Sequence, residues 1–245
     1  MSIQPNLQAA GQIYGACARK VQTKCASHNA PTAQESELLI GLGIASDWAR
    51  RAAALKPLQY TGKLMNKSTK SPAITEMIRF TMAWSGLNGL FARPAVLKLL
   101  GNKTSGTELE LFRILLANSN LSPQRVAAHE SVLQTILAAN VTTTVPGHPP
   151  GTSLMTVQVL HEKYTPVAYQ SMSIGKQMQR AIVNQSTTQL DLATLIYAMR
   201  NWSVHGSLVG SSFRSVPGFN RFINTIVEAI SEVHLGVSKE LLKNV

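Results

Sequence analysis

Three residues in the stretch AMRNWSVHGS carry side chains that can act together on a phosphate: Arg200, Asn201 and His205. A guanidinium offers paired donors to phosphate oxygens. An imidazole can take a proton from a hydroxyl and give one to a leaving oxygen near neutral pH. Asn201 and His205 are four residues apart, so on a helix they share a face. Arg200 lies one residue off that face, within reach of its long side chain. The chemistry that suits this set is phosphodiester cleavage without a metal. The same residues also suit a plain helix end, where arginine and histidine in the last turn meet unsatisfied carbonyls.

The element that must position them is a helix predicted from about Thr188 to His205. Leu192, Leu195, Ile196 and Met199 form its apolar stripe. Thr188 with Asp191 three residues on resembles a capping box at its start. Gly206 follows its last residue, the common place for a left-handed stop. The loop GSLVGSSFRSVPG after it carries Arg214, a candidate RNA contact or simply part of a connector.

The rest of the chain also reads as helical, with apolar residues recurring at intervals of three and four. Only VTTTV and LMTVQVL look strand-like. Ser122 followed by Pro123 predicts a helix start. The breaker VPGHPPG, 145–151, separates two helical regions. Length and an apolar share of 44% predict a globular chain with a sizeable core.

Charge is the strongest compositional signal. Lys and Arg number 23 against 12 Asp and Glu, a formal net charge of +11. That balance favours a polyanionic partner, most often nucleic acid. Residues 1–72 hold nine of the basic side chains and three acids (Glu35, Glu37 and Asp47). Arg50 and Arg51, beside Trp48, are candidate phosphate contacts there. So are Lys63, Lys67 and Lys70 in the polar stretch 55–72, which reads equally as a solvated linker.

Other functional classes find little support. Cys17 and Cys25 have no second pair for a zinc cage and read as two thiols on a helix. His28, His129, His148, His161 and His234 are scattered without ligand spacing, so neither a metal nor a cofactor is expected. A P-loop and a GxSxG elbow are absent. Trp84 and Trp202 fall in helical patterns and are expected in the core. The N-terminus lacks a basic start followed by an apolar block, and no apolar run is long enough to span a bilayer. A cytoplasmic protein is expected.

YAMRNWSVHGS resembles the signature of the HEPN domain family, small helical domains of many prokaryotic ribonucleases and toxins. Their motif is Arg, four to six residues, then His, often with a polar residue next to the Arg. Here these are Arg200, Asn201 and His205. The apolar lead-in through Ile196 and Tyr197, the following glycine and a long helix from 217 to 235 are similar too. RFTMAWSGLNGLFAR, with Trp84 and Asn88, resembles the family's first long helix. The likeness covers about residues 73–245. It leaves 1–72 as a basic helical N-terminal extension and 142–175 as an apparent insertion. It implies an all-α, up-and-down bundle, a homodimer with facing motifs and metal-independent RNA cleavage. On that model His205 is the general acid and base, Arg200 stabilises the pentavalent phosphate, and Asn201 orients His205 or the phosphate. The setting implied is a toxin or phage-defence effector, held by an antitoxin or another regulatory protein. The alternative reading is a non-catalytic helical module that binds nucleic acid or a protein through its basic N-terminal third.

Overall fold

The computed structural model describes residues 3–28, 30–57, 59–60, 69–70, 72–101, 104–142, 144–165, 170, 172–204 and 218–245. It is mostly helical, with ten helices and two short hairpins among those residues. In chain order they are α1 (Ile3–Cys25), α2 (Ala33–Ala54), β1 (Gln59–Tyr60), β2 (Thr69–Lys70) and α3 (Pro72–Phe91). Next come α4 (Pro94–Leu99), α5 (Glu108–Ala117), α6 (Pro123–Ala138), β3 (Asn140–Thr142) and β4 (Ser153–Met155). The chain closes with α7 (Thr156–Tyr164), α8 (Ser173–Val183), α9 (Leu192–Val204) and α10 (Phe219–Asn244). No helix among the described residues is long and apolar enough to cross a membrane.

The chain forms two compact units, each from segments distant in sequence. The first comprises residues 1–56, 78–122 and 227–245; the second comprises 57–77 and 123–226. The unit boundaries at 77/78 and 226/227 fall inside α3 and α10.

In the first unit, α1, α2 and α3 run up and down. Ser46 Oγ donates to the Gly11 carbonyl at 2.7 Å, joining α1 to α2. A side chain at Gly11 would collide with Arg50 Cγ and the Ser46 carbonyl, so glycine lets these helices approach closely. Gly236 on α10 has a stronger reason, because a Cβ there would overlap the Ser119 backbone. The aromatic centre is Trp84, 5.0 Å from Phe112 and 5.8 Å from Phe91 by ring centroids. Thr32 with Glu35 and Thr107 with Glu110 close capping boxes at the starts of α2 and α5.

One polar joint lies inside this unit. His234 is fully buried, and its Nε2 lies 2.8 Å from the Ala83 carbonyl. Because a carbonyl can only accept, Nε2 carries the proton and the imidazole is the Nε2–H tautomer. The Tyr14 hydroxyl, 3.3 Å from the remaining nitrogen, also donates to the His234 carbonyl at 3.0 Å. Burial pushes the imidazole pKa down to about 4.

The second unit packs α6, α7, α8 and α9 with the β3–β4 hairpin. Val141 faces Leu154 across that antiparallel pair, and both join Val145 and Val159 in a buried cluster. The breaker 145–151 is the hairpin connection, tied to α7 where His148 Nε2 meets Glu162 Oε2 at 2.7 Å. Two expectations change here. LMTVQVL is not one strand: residues 154–155 end β4 and 156–160 begin α7. Thr156 turns the chain by giving both its N–H and its hydroxyl to the Ala139 carbonyl. The helix expected from Thr188 starts at Leu192, because Asp191 caps it by accepting from the Thr194 N–H at 2.7 Å. Thr188 instead bonds Ser186 in the preceding turn.

Candidate functional site

Helix α9 is held at both ends before its side chains do anything else. At its start, the Leu192 N–H donates to Glu130 Oε1 at 2.7 Å. Gln134 Nε2 on α6 donates to the Thr188 and Leu190 carbonyls, and Thr187 Oγ1 donates to the Gln134 carbonyl. Within the first turn, Thr194 Oγ1 donates to Gln177 Oε1 of α8 at 3.1 Å. Near its end, Trp202 Nε1 donates to Thr165 Oγ1 at 2.9 Å. The expected stripe is the buried face: Leu192, Leu195, Ile196 and Met199 are all fully buried, and Trp202 is nearly so.

Arg200 and Asn201 come together on the last turn of this anchored helix. Arg200 Nη1 donates to Asn201 Oδ1 at 3.0 Å. The Arg200 guanidinium carbon lies 5.7 Å from the Tyr197 ring centroid, which adds a cation–π contact. Asn201 is 3% exposed, and its amide nitrogen has no hydrogen-bond partner among the described residues. A buried amide donor left in that state costs about 1–3 kcal/mol, so it is a place where a bound group or a further part of the chain gains by accepting. Asn201 therefore orients the guanidinium directly, a role the spacing alone did not assign. His205 lies outside the described residues, as do Arg214, Lys63 and Lys67; of Lys70 only the backbone, in β2, is described.

Arg50 and Arg51 belong to the other unit, and they differ. Arg51 is engaged: its Nε lies 2.9 Å from Asp47 Oδ2, and its guanidinium sits 5.6 Å from the Trp48 centroid. Arg50 runs along α1, with Cγ beside Gly11 and Nη2 beside Gly15. Arg19 Nη1 reaches the same place, so both guanidiniums lie within 4 Å of the point where a Gly15 side chain would begin. Neither has a carboxylate partner among the described residues. The sequence singled out Arg50 but not Arg19, because their meeting depends on how α1 packs on α2.

His161 was one histidine among several in the sequence. In the structure it is 4% exposed on α7, four residues before the Thr165 that receives the Trp202 indole. Its Nδ1 is buried without a partner among the described residues, and burial lowers its pKa. No spacing signal could have marked it.

No protein-family model, curated protein or solved structure matches the chain.

Proposed function

We propose that the chain is a metal-independent endoribonuclease of HEPN type. Two copies would face each other with their Arg200, Asn201 and His205 sets around one RNA strand. His205 takes the proton of a 2′-hydroxyl, and the freed oxygen attacks the adjacent phosphorus. The bond to the 5′-oxygen breaks, and that oxygen takes up a proton. The products are a 2′,3′-cyclic phosphate and a 5′-hydroxyl. Arg200 holds the phosphate oxygens as charge gathers on them. A cytoplasmic toxin or phage-defence effector, restrained by an antitoxin or regulatory protein, is the setting that fits this activity.

The observation that carries the reading is the Arg200–Asn201 pair. Two adjacent residues on a helix end are bonded to each other, with a buried amide that has no partner among the described residues, four residues before His205 in the sequence. A helix terminus built only for stability has no need of that arrangement, since a surface arginine alone satisfies the dipole.

The test is cleavage of labelled mixed-sequence RNA in EDTA by wild type, Arg200→Ala and His205→Ala, with folding checked by circular dichroism. Cutting by wild type alone, leaving cyclic ends, supports the reading. Equal RNA binding by all three with no cutting overturns it.

A second reading, a non-catalytic nucleic-acid-binding module, is favoured by the Arg19–Arg50 pair. It predicts RNA binding that falls steeply with salt and weakens in Arg19→Ala and Arg50→Ala, but not in Arg200→Ala.

A further inference from the structure

The second unit holds an open cleft of about 460 Å³ lined by Ser173, Lys176, Gln177, Arg180 and Gln189. That volume is in the range of small-ligand sites, but its lining among the described residues is unlike theirs: two cations, two carboxamides and a hydroxyl, with neither an acid nor an apolar side chain. Lys176 and Arg180 are four residues apart on α8, so they stand on one face. Like charges so placed weaken a helix, and neither has an ion-pair partner among the described residues. The whole of α8, SIGKQMQRAIV, contains no acidic residue.

The two cations rest on a fixed floor. Ile174, Met178, Ala181 and Ile182 bury the opposite face of α8. Gln177 lies between the cations in sequence and is held from two sides. Its Oε1 accepts from Thr194 of α9, and its Nε2 donates to Ser173 Oγ at 3.3 Å. The Ser173 end of α8 has no side-chain cap, which adds the positive end of the helix to the same face. Thr194 stands six residues before Arg200, about 9 Å along α9.

We infer that this cleft is a phosphate-binding site, in which Lys176 and Arg180 grip the anion and Gln177 and Gln189 contact its ester substituents. The phosphate can come from an RNA strand or from a free nucleotide. The inference does not depend on the ribonuclease reading, since it requires binding and no turnover.

The experiment uses the full chain and a double variant, Lys176→Ala with Arg180→Ala. Fluorescence anisotropy with a short labelled single-stranded RNA is followed across a salt series, and AMP is titrated by calorimetry. Lys163→Ala, a cation of the same unit outside the cleft, is the charge control. If the phosphate belongs to a strand, the double variant loses about tenfold in RNA affinity and its salt slope becomes shallower by about 1.4, two contacts' worth. Lys163→Ala then stays close to wild type, and AMP does not bind. If the phosphate belongs to a nucleotide, wild type binds AMP and the double variant does not. RNA and AMP behaviour identical in wild type and double variant overturns the inference, as does a wild type that binds neither. Arg200→Ala, run in parallel, separates the two proposals: lost cleavage with retained binding leaves both standing. A double variant that binds and cuts like wild type removes the cleft alone.

Discussion

Lowering the pH should destabilise the chain through His234. The folded imidazole takes a proton only near pH 4, whereas in an unfolded chain it does so near 6.5. Between those values the unfolded state holds a proton that the folded state does not, so stability falls as pH falls through that window. Below about 4 both states are protonated and the loss levels off. The gap is about 2.5 pH units at about 1.4 kcal/mol each, or about 3 kcal/mol in all. Against total stabilities of about 5–15 kcal/mol, one imidazole would matter. Tyr14 and Cys17, both pushed upward by burial, stay neutral throughout the window. The assay is urea unfolding from pH 7.5 down to 4, comparing wild type with His234→Gln, which can still donate to the Ala83 carbonyl. The half-buried carboxylates Glu35 and Glu240, whose pKa values are lowered by their hydrogen bonds, are common to both proteins and cancel in the difference. The stability difference should change by about 3 kcal/mol in favour of the variant as the pH drops. A difference independent of pH would refute the reasoning.

Three further outcomes follow from the packing. Gly236→Ala, which in an ordinary helix interior would stabilise by about 1 kcal/mol, should instead cost more than about 2 kcal/mol by denaturant unfolding, because the new methyl meets the Ser119 backbone. Trp202→Phe should cost about 1–2 kcal/mol in the same measurement, since it leaves Thr165 Oγ1 without its indole donor. Cys17, whose thiol pKa burial raises to about 11, should resist Ellman's reagent at pH 8 in the native state and react only on unfolding; fast native labelling at that position would contradict its burial.

The helices and the buried stripe of α9 were legible locally, because a period near 3.6 follows directly from which side chains must be covered. Local sequence also marked Pro123 as a helix start and placed Trp84 and Trp202 in the core. It misplaced the start of α9, since Thr188 and Asp191 are both able caps and only the Gln134 and Thr187 contacts decide between them. The run LMTVQVL was too short for periodicity to separate strand from helix. Arg200 and Asn201 could be placed in one set because they are neighbours on one element, but their bond to each other is not written in the spacing. Arg19 with Arg50, and Gln177 with Thr194, could not, since each pair meets only through the docking of two helices. The grouping of residues 1–56 with 78–122 and 227–245 is likewise a matter of long-range packing that no window of sequence contains.

The joint at His234 also acts as a ruler. The Tyr14 hydroxyl of α1 donates to the backbone of His234, whose Nε2–H donates to a carbonyl of α3 and which is itself carried by α10. A slide of one helical turn would move each partner about 5.4 Å, strand a donor in a dry interior and carry a larger residue into the close contacts that Gly11 and Gly236 permit. A greasy interface tolerates many alignments. Three helices pinned to one histidine have a single one.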